Sequence, residues 1–292
     1  MAEFEGGIRM EQRAYGRNGD RLTVIGFGAI VVMNEPQETA NRFVAEALDA
    51  GIDYFDVAPG YGDAQDRLGP ALEGRRNGVF LACKTARRDG AGARAELEDS
   101  LRKLRTDRFD LYQFHAVSTP EDVAQVLAPG GALEAFRKAQ EEGLVRYLGF
   151  SAHSEEAAEA LFEAFPFDSV LFPLNYAGLI QDTYGRRTLE AARRRGASCL
   201  ALKAMARAAW PEGAERDFPK CWYEPIREER PAGLALRYAL SQSIVSALPP
   251  GDIRALRMAI RVVRDGVRPL DPDELEELKR LSDSVRPLFP VA

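Results

Sequence analysis

The strongest constraint in this sequence is a rhythm: short apolar runs alternate with amphipathic stretches from residue 22 to residue 249. The runs are LTVIGFG (22–28), YFDVA (54–58), VFLACK (79–84), FDLYQFH (109–115), VRYLGFSA (145–152), SVLFPLN (169–175), SCLALKA (198–204) and IVSALP (244–249). They are nearly continuous in apolar character, as expected of parallel strands buried on both faces. Between them, ARAELEDSLRKLRTD (93–107) places Leu97, Leu101 and Leu104 on one helical stripe. Further helical stretches cover 38–51, 131–143, 154–165, 186–196 and 231–242, several of them ending on a glycine, a common helix stop. Eight strands in βα alternation predict a parallel sheet closed into a (β/α)8 TIM barrel. The segment DPDELEELKRLSDSV (271–285) adds a C-terminal helix outside it, and no linker divides the chain, so residues 1–292 read as one domain.

Composition narrows the function classes. A chain of 292 residues with 46% apolar residues can bury a large core. A net charge of −6 disfavours nucleic acid as a partner, despite the local run Arg193, Arg194 and Arg195. No apolar run approaches the ~20 residues of a membrane span, and MAEFEGGIRM lacks the basic end of a secretion signal. These features predict a soluble cytoplasmic protein. Cys83, Cys199 and Cys221 are widely spaced, and only two histidines occur, so neither a disulfide framework nor a metal site is expected.

In such a barrel, function gathers at the C-terminal ends of the strands. Asp56 falls at the strand end within the second run, Tyr61 follows that run, Lys84 ends the third and His115 ends the fourth. Together they suit proton transfer to a carbonyl oxygen. A tyrosine with its usual pKa of about 10 is a weak acid at neutral pH, and an adjacent ammonium stabilises its phenolate. Lys84 supplies that charge, Asp56 pairs with Lys84, and His115 orients the carbonyl, leaving Tyr61 as general acid. Cys83 alternates with Lys84 and should face away from the site.

These segments resemble the aldo-keto reductases. GIDYFDVAPGYGDAQDRLGPAL is similar to that family's acid and tyrosine segment, FLACKT to its lysine strand and DLYQFH to its histidine strand, and the likeness extends over nearly the whole chain. The resemblance implies a (β/α)8 barrel with an N-terminal β-hairpin. It also implies hydride transfer from NADPH, with NADH as the other possible coenzyme, to a small aldehyde or ketone. Tyr61 would then be the proton donor, and Asp56, Lys84 and His115 its partners. It further implies Gly28 beside the nicotinamide and Ser151 on its carboxamide. Leu202 or Lys203 takes the coenzyme-packing position, Lys203 approaches the pyrophosphate, and Arg254 and Arg257 hold the 2′-phosphate. The family's usual asparagine and glutamine at the carboxamide are Ala152 and Phe172 here, which keeps open a second reading: a non-catalytic nucleotide-binding or interaction barrel.

The long stretch 206–230 follows the seventh run, and long loops in compact domains are commonly functional. Its Trp222 and Tyr223 either cover a small carbonyl substrate or pack the loop onto the barrel. His153 is either a hydrogen-bonded structural residue or a ligand contact, next to Ser154 as a helix cap.

Overall fold

The computed structural model describes residues 10 to 289, so the readings placed on residues 1–9 and 290–292 lie outside the described residues. Eight strands pair in parallel and in sequence order: β1 (Phe27–Gly28), β2 (Tyr54–Asp56), β3 (Phe80–Thr85), β4 (Phe109–Val117), β5 (Val145–Ala152), β6 (Ser169–Pro173), β7 (Ser198–Leu202) and β8 (Ser246–Leu248). The ends of this sheet meet where Ile25 bridges Ala247, with the Gly26 N–H donating to the Ala247 carbonyl at 3.0 Å and the Ala247 N–H to Val24 at 2.9 Å. These contacts bring the sheet round into the expected (β/α)8 barrel. Among the described residues, no helix is long and apolar enough to cross a membrane.

Side-chain parity divides the core into two regions. Tyr54, Phe80, Ala82, Leu111, Tyr147, Leu171, Leu200 and Leu248 cluster inside the barrel. Their neighbours Phe55, Leu81, Cys83, Tyr112, Phe114 and Leu148 belong to the layer shared with the helices. Because strand side chains alternate, Asp56, Lys84, Gln113, His115 and Ser151 have the inward parity of the first group. The polar ends of the runs therefore converge above an apolar floor.

The first expected strand is split. Asp20–Thr23 pairs antiparallel with Gln12–Tyr15 as a hairpin, and the chain joins the barrel wall only from about Ile25 onward. The hairpin supplies Tyr15 and Leu22 to the interior cluster. The Tyr15 hydroxyl donates to Ser169 Oγ at 2.8 Å, and its ring meets those of Phe80 and Tyr147 edge-on. An apolar run continuous through residue 28 conceals this change of sheet, because both halves are buried.

Local chemistry sets the helix ends. Asp89 accepts from the Gly92 N–H, Thr119 from Asp122 and Ser154 from Ala157, each a side-chain N-cap. Asp271 and Glu274 form a reciprocal capping box at the start of the C-terminal helix Pro272–Asp283. The helices Ala64–Ala71, Pro120–Leu127 and Ile253–Val263 join those read from periodicity. The stretch after β7 carries a small ribbon, Ala206–Ala208 against Glu224–Pro225.

Gly26 sits at the closing seam, where a Cβ would lie 2.4 Å from the Tyr54 ring and 2.8 Å from Leu248. Gly26→Ala should therefore overpack the interior and destabilise the protein by about 1–3 kcal/mol. An unchanged urea midpoint would show that the Tyr54 ring can move aside.

Candidate active site

Strand β2 delivers Asp56 to the mouth beside Ala82 of β3, and Lys84 follows two residues later on the same face. The Lys84 ammonium contacts the Asp56 carboxylate, and each side chain is only 1% exposed. Gln113 Nε2 donates to the same carboxylate at 3.1 Å, the Tyr54 hydroxyl does so at 3.3 Å, and Lys84 also reaches the Val57 carbonyl at 3.4 Å. Burial works against the Lys84 charge, but the Asp56 carboxylate together with Tyr61 and Cys83 outweighs it and holds the lysine pKa above its ordinary value.

Beyond Asp56 the chain reverses through Pro59 and Gly60, with the Tyr61 N–H donating to the Ala58 carbonyl at 3.1 Å. This is a β-turn with proline at its second position, where the fixed φ favours the reversal. It brings the Tyr61 ring to 5.2 Å from Lys84 Nζ, measured to the ring centre. Burial raises the Tyr61 pKa and the Asp56 charge adds to that rise, while Lys84 opposes both. The net direction is upward, so in this state burial overrides the phenolate stabilisation expected from Lys84 alone.

His115 reaches the site through an irregularity. Phe114 pairs with Phe150, yet Val117 pairs with Ala152, so β4 carries one residue more than β5 there. Ala116 takes up the excess with φ of 54°, and its N–H donates to Ser151 Oγ at 2.8 Å. Such bulges re-aim side chains next to functional sites. The His115 ring stands edge-on to Tyr61 at 5.7 Å between centres. Burial, with the Lys84 ammonium nearby, pushes the His115 pKa down to about 3, which keeps the ring neutral at physiological pH.

One cavity gathers Gly28, Asp56, Tyr61, Lys84, His115, Ser151, His153, Lys203, Trp222 and Tyr223 in its wall. A Cβ on Gly28 would meet nothing within 4 Å, so β1 leaves open space at this point. The cavity continues past Leu248 and Pro249 to Gly251, just ahead of the helix Ile253–Val263.

The loop after β7 splits its aromatic pair. Trp222 is 66% exposed with its ring 6.2 Å from that of Tyr61, whereas Tyr223 is buried. Lys220 ties the loop to the Val31 carbonyl at 2.7 Å and to Glu35 at 2.6 Å. Lys203, also in the cavity wall, stands 3.4 Å from His153 Nε2, and burial lowers its pKa to about 8. Burial and Lys203 lower that of His153 to about 4. Cys83 faces the helical layer, receiving Gln65 Nε2 at 3.4 Å.

Arg254 and Arg257 lie on the helix Ile253–Val263, outside the cavity wall that holds the other expected site residues, each with a carboxylate partner. Arg254 bonds Asp252 at 2.9 Å and the Asp217 carbonyl at 2.6 Å, with its guanidinium 4.0 Å over the Phe218 ring. Arg257 forms a two-point pair with Glu46 at 2.7 and 2.8 Å. Gln113 is the site residue that the sequence reading passed over; its signal was its position two residues before His115, hence the same inward parity.

A barrel whose C-terminal mouth holds a buried lysine and carboxylate pair beside a tyrosine and a neutral histidine defines a class of α/β-barrel enzyme site. The sequence profile described as the Aldo/keto reductase family matches residues 24–283. The chain belongs to the aldo/keto reductase family, whose members are oxidoreductases. It is 30% identical over 226 residues to the uncharacterized oxidoreductase YrpG of Bacillus subtilis, covering 68% of this chain and 67% of that one. It is 29% identical over 157 residues to the uncharacterized oxidoreductase YqkF of the same organism, and that match spans 49% of each chain, about half the relative's length. In structure it resembles the holo form of the aldo-keto reductase AKR11C1 from Bacillus halodurans, with a TM-score of 0.73, 22% identity, and coverage of 96% of this chain and 98% of that one.

The depressed His115 pKa has a consequence for stability. An unfolded histidine titrates near 6.5, so below that pH the unfolded chain takes up a proton that the folded site refuses. The contribution is complete above about 6.5 and is lost as pH falls toward about 3; at pH 5 the loss amounts to about 2 kcal/mol. His115→Asn should flatten the fall in unfolding free energy between pH 7 and pH 5. An identical slope in both proteins would place the His115 pKa near its ordinary value.

Proposed function

We propose that the protein is an NAD(P)H-dependent reductase of small aldehydes or ketones, with Tyr61 as the proton donor. The observation that carries this reading is the convergence of Tyr61, Lys84, Asp56 and His115 on one cavity wall from three successive strands and the loop between two of them. When bound, the coenzyme supplies the hydride to the carbonyl carbon. The protein's own groups handle the charge that appears on the oxygen.

His115, held neutral, donates a ring N–H to the carbonyl oxygen and fixes its position. Tyr61 delivers the proton to that oxygen as negative charge builds on it. Lys84 stabilises the phenolate left behind, and Asp56 keeps Lys84 charged and in place. Gln113 and Tyr54 hold the carboxylate in turn. Trp222, exposed beside Tyr61, offers an apolar wall to the substrate, while buried Tyr223 braces the loop beneath it.

For the coenzyme, the open space at Gly28 and the Ser151 hydroxyl suit the nicotinamide end, and the helix N-terminus at Arg254 suits the phosphate end. In binding NADPH, Arg254 and Arg257 exchange their contacts with Asp252 and Glu46 for the 2′-phosphate.

Purified protein should oxidise NADPH in the presence of a small aldehyde, and Tyr61→Phe should lower kcat by about 10²–10⁴ while leaving the circular dichroism spectrum unchanged. Full activity in Tyr61→Phe would remove the tyrosine from its assigned role. Fluorescence titration should give a lower Kd for NADPH than for NADH, with the difference erased in Arg254→Ala; equal constants in the wild type would exclude a 2′-phosphate clasp. Failure to bind either coenzyme would favour a barrel that keeps the fold without the reaction.

A further inference from the structure

Three lysines line the cavity around Tyr61, and two of them have carboxylate partners. Lys84 rests on Asp56, and Lys220 reaches Glu35. Lys203 differs: among the described residues, no carboxylate lies within ion-pair distance of it. Its Nζ is 3.4 Å from His153 Nε2 and 4.5 Å from the centre of the Phe289 ring. Phe289 stacks on Tyr184 at 4.8 Å and on His153 at 5.7 Å, and lines a groove on the outer side of His153. The rings thus back the ammonium from outside, while Lys203 faces the cavity shared with Tyr61 and His115.

The backbone holds Lys203 in this position against its own preference. Its φ of 66° lies in the left-handed region, which costs a residue with a Cβ about 1 kcal/mol or more. Asn175 Nδ2 and the Ala206 N–H both donate to the Lys203 carbonyl, at 3.1 and 3.0 Å, and fix the turn that ends β7. A half-buried cation without a carboxylate partner is stabilised when an anionic ligand completes it. With neutral His153 accepting one of its three N–H groups, two remain for the two oxygens of an incoming oxyanion.

We propose that Lys203, supported by His153, is an oxyanion-binding site in the cavity wall, and that the substrates are carbonyl compounds bearing a carboxylate. This rests on the reductase reading. The carboxylate seats on Lys203 while the carbonyl faces Tyr61 and His115, and the apolar surfaces of Leu202, Ile30 and Trp222 accommodate the body between them. The same chemistry would also hold a dinucleotide phosphate, and the two sources are separable.

The test compares benzaldehyde, 4-carboxybenzaldehyde and its methyl ester with wild type, Lys203→Met and Lys203→Arg at saturating NADPH. In Lys203→Met, KM for 4-carboxybenzaldehyde should rise about tenfold or more relative to KM for benzaldehyde and for the methyl ester. Lys203→Arg, which keeps the charge, should retain the preference. Equal losses on all three aldehydes would overturn the proposal, as would a comparable rise in the NADPH Kd, which assigns the lysine to a coenzyme phosphate. If the wild type reduces none of the aldehydes, the reductase reading fails by itself. Calorimetric titration of the coenzyme-free protein with benzoate then decides the oxyanion site: binding lost in Lys203→Met upholds it, and binding absent or unchanged overturns it.

Discussion

The ion pair between Lys84 and Asp56 is the interaction on which the mouth of this barrel depends. Two opposite charges stand together where water barely reaches them, and the cost of removing them from solvent is recovered only through contact and further hydrogen bonds. Asp56 has those bonds from Gln113 and Tyr54, and Lys84 has the Val57 carbonyl. The pair also sets the electrostatics of its neighbours. The ammonium helps keep His115 neutral and works against the burial that raises the Tyr61 pKa. Removing either partner would leave the other as an uncompensated buried charge, which in comparable sites costs about 3–5 kcal/mol.

The scaffold makes that pair possible through parity and closure. Inward positions alternate along every strand, so Tyr54 beneath Asp56 and Phe80 and Ala82 beneath Lys84 form the apolar floor that excludes water from below. The hairpin adds Tyr15 and Leu22 to the same floor. Above it, the loop after β7 crosses the opening, anchored by Lys220 near Glu35 and by Asp217 near Arg254. The same loop presents Trp222 beside Tyr61. The buried ion pair and the aromatic side chain beside Tyr61 are therefore carried by different parts of the chain, the first by strands and the second by a loop.

Much of this was legible beforehand because the signals were local. Strand runs declared themselves by apolar length, helices by stripe and cap, and the polar strand ends by their contrast with the runs that carry them. What escaped was what depends on contacts distant in sequence. The N-terminal hairpin was expected; what the first apolar run hid was the point where the chain leaves that hairpin for the barrel wall, set by the bridge of Ile25 to Ala247. Gln113 gave no sign of its bond to Asp56, 57 residues earlier. The carboxylates that engage Arg254 and Arg257 include Glu46, which lies 211 residues from Arg257.

The sequence by itself determined the barrel, the family and the residue types at its mouth, because alternation, length and motif spacing are properties of neighbours along the chain. Only the tertiary structure decided how those groups are charged and which remain without a partner. It put Asp56 against Lys84, turned His115 inward through the bulge at Ala116, and set Lys203 in the cavity wall over the Phe289 ring. The physical reason is that desolvation and ion pairing depend on distances through space. Closure of the sheet brings those distances down to a few ångströms between residues that are tens to hundreds of positions apart in the chain.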